Sequence, residues 1–300
     1  MTEPVIPRDD IHREALAAFV AHHPRLAVLT GAGVSTASGI PDYRDDGGAW
    51  KRPPPMEHGV FMASHAARQR YWARALLGFR TLQAARPNAA HHALARLEAL
   101  GHVVGVITQN VDGLHQRAGS RRVIDLHGRA EVVRCMGCGA RRMRYDLHAE
   151  LARRNPAWLE ARAAAGPDGD ADLEADFSAF EVPSCTRCGD GIYKPDVVFF
   201  GDGVPRERVA AAMACLHEAD ALLVVGSSLM VFSGFRFARE AARRGTPIAC
   251  VNQGRTRADA LYALKVEAAA GTTLARLVEG LGESRGEADV ATQPPASLTR

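Results

Sequence analysis

The chain has 300 residues, 47% apolar and 24% charged, enough for a sizeable buried core in one large domain or one large and one small. Its 37 basic and 34 acidic residues leave a net charge of +3, too balanced for nucleic acid or an anionic membrane to be the main partner. No apolar run has the length of a membrane span, and the first ten residues, with Glu3, Asp9, Asp10 and two prolines, fit neither a signal nor a transit peptide. A cytoplasmic protein is expected. In that reducing compartment four of the six cysteines, set in two Cys-x-x-Cys pairs, favour a metal over disulfides.

An amphipathic helix is expected over 11–23, then a short buried strand, Leu26-Ala27-Val28-Leu29-Thr30, running into Gly31-Ala32-Gly33-Val34-Ser35. Strand, glycines and hydroxyl together suggest a phosphate-cradling turn, in which backbone N–H groups approach an anion closely. The dinucleotide fingerprint would want a third glycine where Thr36 stands, so a plain strand-to-helix turn competes with that reading. Gly39-Ile40-Pro41-Asp42-Tyr43-Arg44, with Asp45-Asp46-Gly47-Gly48 behind it, reads as a mobile loop able to close over a ligand. Helices follow over 64–79, where Tyr71 and Arg74 share a face, and over 90–100, ended by Gly101.

The run from Val103 to Ile107 reads as a buried strand, and Thr108, Gln109, Asn110, Asp112 and His115 lie where it runs out. A second short strand, Val123-Ile124-Asp125-Leu126, delivers His127 at its own end. In an open α/β sheet that end is where ligands bind, so an amide, a carboxylate and an imidazole converge on one centre.

From 131 to 194 the character changes. Cys135-Met136-Gly137-Cys138-Gly139 and Cys185-Thr186-Arg187-Cys188-Gly189 can each form a tight knuckle aiming two thiolates at one ion. Together they complete a tetrahedral site with no position left for water, hence a structural one; a redox Cys-x-x-Cys is the competitor. Between them a helical piece over 145–165 and a polar loop over 166–175 are expected. Asp168, Asp170 and Asp172 imitate the start of a calcium loop, but Leu173 and Ala179 stand where glycine and glutamate are required. The α/β pattern then resumes. Strands over 197–200, 222–225 and 248–251 end in Gly201-Asp202-Gly203, Gly226-Ser227-Ser228 and Asn252-Gln253-Gly254, with helices over 206–219 and 235–244. Small polar residues at such ends suit a ribose or an adenine edge. From Gly282 the composition turns polar, and a disordered tail is expected.

Six motifs in this order resemble the sirtuins, NAD-dependent protein deacylases, over roughly 25–280: Gly31 to Ser35, Gly39 to Arg44, Thr108 to His115, His127-Gly128, the paired knuckles, and Gly226-Ser227-Ser228-Leu229. Asp202, Ser233 and the run from Gln69 to Arg74 resemble the class II branch. The resemblance implies an α/β fold: a Rossmann-like parallel-sheet domain made of 1–45, 87–130 and 195–281, with a smaller zinc-ribbon and helical domain. In that division 46–86 is a helical module with the cofactor loop, 131–194 the zinc ribbon and 282–300 the tail.

NAD is implied as a co-substrate, and one structural zinc on Cys135, Cys138, Cys185 and Cys188. In the family mechanism the acyl oxygen attacks the anomeric carbon, nicotinamide leaves, and His127 is implied as the general base that frees a ribose hydroxyl to take the acyl group. Asn110 is implied as the second catalytic residue, positioning the nicotinamide end with Asp112 and Gln109. Gly31, Ala32, Gly33, Ser35, Ile40, Tyr43 and Arg44 are implied at the phosphate and nicotinamide end, and Gly226, Ser227, Ser228, Asn252, Gln253, Gly254 and Ala270 at the adenosine half. The acyl-lysine segment of a protein substrate is implied to add as a strand between Val198, Phe199 and Gly201 and the segment after Ser228. Tyr71-x-x-Arg74 resembles the clamp of members that remove succinyl and glutaryl groups, implying a preference for long or acidic acyl groups over acetyl. A monomer is expected. Protein mono-ADP-ribosyl transfer at the same NAD site is the alternative.

Overall fold

The computed structural model describes residues 8–291. In chain order, α1 (Arg8–His22) leads into β1 (Leu26–Thr30), and a loop carrying single 3-10 turns leads to α2 (His58–Ala63), α3 (His65–Ala84) and α4 (Ala89–Ala99). Next come β2 (Val103–Thr108), the one-turn α5 (Leu114–Arg117) and β3 (Val123–Asp125). β4 (Gly128–Cys135), β5 (Arg141–Met143), α6 (Arg144–Arg154), β6 (Ala164–Ala165), β7 (Ala171–Asp172) and β8 (Tyr193–Val197) follow. The chain continues through α7 (Arg206–His217), β9 (Ala221–Val225), α8 (Phe232–Arg243), β10 (Ile248–Val251), β11 (Leu264–Val266) and α9 (Ala270–Ala291).

Six strands pair in parallel in the order β11-β10-β9-β1-β2-β3. Counted within the sheet, that is the doubly wound order 3-2-1-4-5-6, which reverses between β1 and β9. β1, β9 and β10 are buried along their whole length, as helices on both faces require. One face packs Val28, Val106 and Leu223 of the strands against Leu16, Leu94 and Leu274 from α1, α4 and α9. The other packs Leu29, Leu222 and Val224 against Leu216 and Phe237 from α7 and α8. Each fully buried side chain of this size contributes about 1.5–3 kcal/mol.

β5, β4 and β8 form a separate antiparallel sheet, and a third core of Phe61, Trp72, Leu147, Phe180, Tyr193 and Phe199 joins it to α2 and α3. The strand expected over 197–200 is instead Tyr193–Val197 and belongs to this small sheet. Pro195, which cannot donate to a ladder, is tolerated there because β8 is an edge strand.

The helix expected over 145–165 ends at Arg154, since Asn155 precedes Pro156 and the α conformation is disfavoured there. Asn155 caps the break: its Nδ2 donates to the Leu151 carbonyl at 2.9 Å and its Oδ1 accepts from the Glu181 amide at 2.7 Å. The loop expected over 166–175 contains β7 of a small antiparallel hairpin with β6. Of the tail expected from Gly282, residues 282–291 are instead helical, as part of α9, and no proline interrupts that stretch. The remaining tail residues, 292–300, lie outside the described residues.

Gly78, inside α3, lies directly against the hairpin: a Cβ there would sit 2.0 Å from the Asp170 carbonyl oxygen. Alanine gains up to about 1 kcal/mol of helix propensity but overpacks backbone, which costs about 1–3 kcal/mol. Gly78→Ala is therefore expected to lower the urea unfolding midpoint; an unchanged or raised midpoint rejects this close approach.

Candidate active site and metal centre

The turn after β1 is built for contact with β9. Gly31 and Gly33 donate their amides to the Val225 and Gly226 carbonyls at 3.3 and 2.9 Å, so these amides close the strand ends on each other and do not reach for an anion, contrary to the sequence expectation. The glycines are needed for approach: a Cβ on Gly33 would lie 2.9 Å from the Gly226 oxygen, and one on Gly31 2.7 Å from Ser227 Oγ. Gly226 has φ 56°, and its own Cβ would meet the Val34 amide at 2.5 Å.

Over these ends opens a cavity of about 430 Å³. It brings together Gly31, Ala32, Gly33, Tyr43, Arg44, Gln109, Asn110, His127, Gly226, Ser227, Ser228, Asn252 and Gln253, with Val198, Phe199 and Gly201 on its far wall. Its size, its glycine-tight floor and its polar strand ends fit a dinucleotide. Five expected residues stand outside its lining. Ile40 is core with Phe79, Leu82 and Leu114, and Ala270 packs against the core at the start of α9. Ser35 donates to Asp112 Oδ2 at 2.7 Å and accepts from Asn110 Nδ2 at 3.0 Å, so Ser35 and Asp112 hold the Asn110 amide from behind. Gly254 admits the Asp46 backbone, its carbonyl only 2.5 Å from where a Cβ would be. Sequence reasoning missed Trp50, Asp168, Phe232 and Arg236, which also line the cavity. Trp50 gives a local signal as an aromatic just after the glycine-bracketed loop, and Asp168 as part of the imitation calcium loop; Arg44 stacks on Trp50 at 3.8 Å.

His127 Nδ1 meets the Gln109 carbonyl at 2.9 Å and Nε2 meets Ser233 Oγ at 2.8 Å. A carbonyl only accepts, so Nδ1 carries the hydrogen and Nε2 offers its lone pair. Burial, with a smaller contribution from Arg208 and Arg236, pushes the imidazole down to about 4, against the Gln109 hydrogen bond. His115 is different. Burial lowers it to about 3, and its Nε2 bonds Thr30 Oγ1 at 3.0 Å beneath the strand ends, a packing role. Gln109 donates through Nε2 to Thr30 O at 3.1 Å and Ser227 Oγ at 2.8 Å, tying β2 to β9.

A second cavity of about 800 Å³ shares Tyr43, Trp50, Asp168, Val198, Phe199 and Phe200 with the first. Tyr71 and Arg74 both line it. Arg74 is already engaged, with Nε and one terminal nitrogen each 2.9 Å from the Asp170 carboxylate. Arg144 also lines this cavity, only 3% exposed, stacked on Trp72 at 4.5 Å and Phe79 at 4.7 Å. Burial lowers its pKa, opposed by Tyr71, and its Nε has no hydrogen-bond partner. The hairpin also carries Asp168, which accepts a short hydrogen bond from the Tyr43 hydroxyl. The surrounding protein pushes the Asp168 carboxyl up to about 6, while that hydrogen bond pulls it down.

At the end of β4 the two knuckles face each other, and one sulfur from each of Cys135, Cys138, Cys185 and Cys188 lies within 4.8 Å of the others. Cys135 and Cys188 sulfurs are 3.6 Å apart, Cys138 and Cys185 sulfurs 3.8 Å. Tetrahedral zinc with bonds of about 2.3 Å needs a separation of about 3.8 Å, so the set fits one structural ion. Gly191 permits the approach, since a Cβ there would lie 2.3 Å from Cys135 Sγ.

The chain matches the Sir2 family over residues 31–233. A Bradyrhizobium diazoefficiens protein, NAD-dependent protein deacetylase 2, is 60% identical over 266 residues, which cover 88% of this chain and 97% of that protein. The Drosophila melanogaster NAD-dependent protein deacylase Sirt4 is 45% identical over 281 residues, covering 92% and 89%. A solved structure of Sir2 with a p53 peptide and NAD+ superposes with a TM-score of 0.72 at 30% identity, covering 90% of this chain and 98% of that one.

Two outcomes follow from this geometry. A proton lost from His127 at about 4, against an ordinary 6.5, keeps the folded imidazole neutral down to that value; only the unfolded chain takes the proton between them, so its stabilising effect is complete above 6.5 and falls away below. NMR of the His127 ring is expected to show no protonation between pH 8 and about 5.5, and a midpoint near 6.5 rejects the assignment. Removal of zinc by chelation, or Cys135→Ala, is expected to collapse the small sheet and aggregate the protein, as seen by circular dichroism and light scattering; full stability in a zinc-free preparation rejects a structural ion.

Proposed function

The chain belongs to the Sir2 family, and we infer that it is an NAD-dependent protein-lysine deacylase. The observation that carries this reading is His127, fixed by the Gln109 carbonyl at Nδ1 and by Ser233 at Nε2, on the wall of the cavity that also holds the Gln109, Asn110 and Asn252 amides. The relatives' names favour deacylation over protein mono-ADP-ribosyl transfer. NAD, when bound, supplies an anomeric carbon that releases nicotinamide and accepts the acyl oxygen.

The rest of the reaction falls to side chains. Asn110, held by Ser35 and Asp112, fixes the nicotinamide end, and Gln109 keeps the β1, β2 and β9 ends in register beneath it. Gly31, Ala32 and Gly33 floor the phosphate region, with Tyr43 and Arg44 above them; Ser227, Ser228, Asn252 and Gln253 meet the adenosine half. His127, its Nε2 released from Ser233 Oγ, would take the proton of a ribose hydroxyl of bound NAD. The acyl-lysine segment lies along Val198, Phe199 and Gly201.

The larger cavity takes the acyl chain, with Tyr71 and Phe199 as walls. Because Arg74 is held by Asp170, a carboxylated tail would meet Arg144. The division into a parallel-sheet domain interrupted by a helical module and a zinc ribbon is part of the same proposal. So is a cytoplasmic monomer: four thiolates holding zinc need a reducing compartment, and the exposed large apolar side chains, such as Val60, Met143 and Tyr145, are few. Among the described residues no helix is long and apolar enough to cross a membrane.

The test is a panel of acetyl-, lipoyl- and glutaryl-lysine peptides with NAD, read by mass. Acyl groups should move from lysine to ADP-ribose, and His127→Ala should slow this by about 10²–10⁴. Addition of ADP-ribose to the peptide, with its acyl group retained, overturns the deacylase reading. Lipoyl or glutaryl turnover ahead of acetyl is expected, and a clear acetyl preference rejects the acyl-pocket assignment alone.

A further inference from the structure

We propose that the outer face of α8 docks acidic side chains of the protein segment that carries the acyl-lysine. The proposal rests on the deacylase reading and adds to it the charge of the preferred substrate. Phe232, Arg236 and Arg239 recur at helical spacing on one face of α8. Phe232 is 43% exposed and its neighbour Val231 37%, so two adjacent large apolar side chains stand open at the mouth of the site.

Three guanidinium groups surround that ring: Arg236, Arg239 and Arg257 lie 5.4, 4.9 and 5.9 Å from its centre. Among the described residues none of the three has a carboxylate partner. The acid on the same helix, Glu240, is taken by Arg243 at 2.7 Å and His217 at 3.3 Å. Arg236 Nε is buried without a hydrogen-bond partner. The patch is therefore apolar at its centre and uncompensated in charge around it, a surface that fits an acidic chain with an apolar side chain between its carboxylates.

Continuity with the catalytic cavity says which chain. Val231, Phe232, Ser233 and Arg236 line it, and Ser233 touches His127. From Ser233 to Arg239 the helix rises about 9 Å. An extended chain covers that distance in about three residues, so carboxylates two to four residues from the acyl-lysine come into reach.

The experiment uses the full chain, NAD and acetyl-lysine peptides with Asp, Asn or Lys two to four residues to either side. On one side, Asp peptides should exceed Asn peptides in kcat/KM by about three- to ten-fold, with the difference in KM. The ratio should fall toward one at 1 M salt, where the screening length shrinks to about 3 Å. Arg239→Glu should reverse the order in favour of Lys peptides, and Arg239→Lys should preserve it. Equal KM for Asp, Asn and Lys peptides at low salt overturns the proposal. So does an Arg239→Glu variant whose KM rises for NAD instead of for peptide, which would give the arginines to the cofactor. Wild-type protein that turns over none of the peptides removes the deacylase reading itself and this proposal with it.

Discussion

The site depends on backbone touching backbone where β1 and β9 end. These are the adjacent strands between which the sheet order reverses, the place where an open parallel sheet leaves a crevice. With no Cβ on Gly31, Gly33 or Gly226, the two turns close to a 2.9 Å hydrogen bond between the Gly33 amide and the Gly226 carbonyl. That closeness lets one side chain, Gln109, bridge Thr30 and Ser227. Gly234 then admits α8 against the same amide, since a Cβ there would lie 2.3 Å from Gln109 Oε1. His127 is placed between the two, with Nδ1 on the Gln109 carbonyl and Nε2 on Ser233 at the start of α8. A methyl group at any of these glycines would be felt at the imidazole.

The hairpin of β6 and β7 supplies a second chain of contacts. Asp170 holds Arg74 of α3, the Asp170 carbonyl packs on Gly78 one helical turn further, and Asp168 receives the hydroxyl of Tyr43 from the loop after β1. Asp168 adopts φ 54°, a conformation unfavourable for a residue with a Cβ, and the surrounding contacts hold it there. One short insertion between the zinc knuckles thus fixes the helix that walls the larger cavity and the loop that roofs the smaller one.

What the sequence made legible was short-range chemistry. The glycine turn, the polar residues after β2, His127 and the paired cysteines each lie within a few residues of a strand end or knuckle, where spacing alone restricts geometry. The purpose of the glycines was not legible: whether a turn's amides face a ligand or the next strand depends on Val225 and Gly226, which are far away in sequence. Ser35 is expected at the ligand because it closes the glycine turn, and Asp112 because it lies two residues from Asn110, yet both stand outside the cavity lining and hold the Asn110 amide through the Ser35 hydroxyl. The bond between Arg74 and Asp170 spans 96 residues and has no periodic signature at all. β8 departs from the expected strand because an apolar run such as Val197 to Phe200 fits a parallel or an antiparallel partner equally well, and only pairing with β4 decides.

The electrostatics around His127 carry the last step. A base lowered to about 4 by burial and by the positive charge of Arg208 and Arg236 is neutral at pH 7, but it is a weak proton acceptor. Arg208 is paired with Asp196 at 3.3 Å, whereas Arg236 has no carboxylate partner among the described residues, so the uncompensated part of that field comes from the α8 side of the cavity. An anionic ligand in the cavity acts in the opposite sense to Arg236 and moves the imidazole back toward its ordinary range. The unpaired arginine therefore draws negative charge to the cavity mouth, while burial, the largest cause of the lowered imidazole, keeps the base neutral. An anion there is held by a charge that the fold leaves without a carboxylate partner among the described residues, one wall away from the Nε2 that takes the proton.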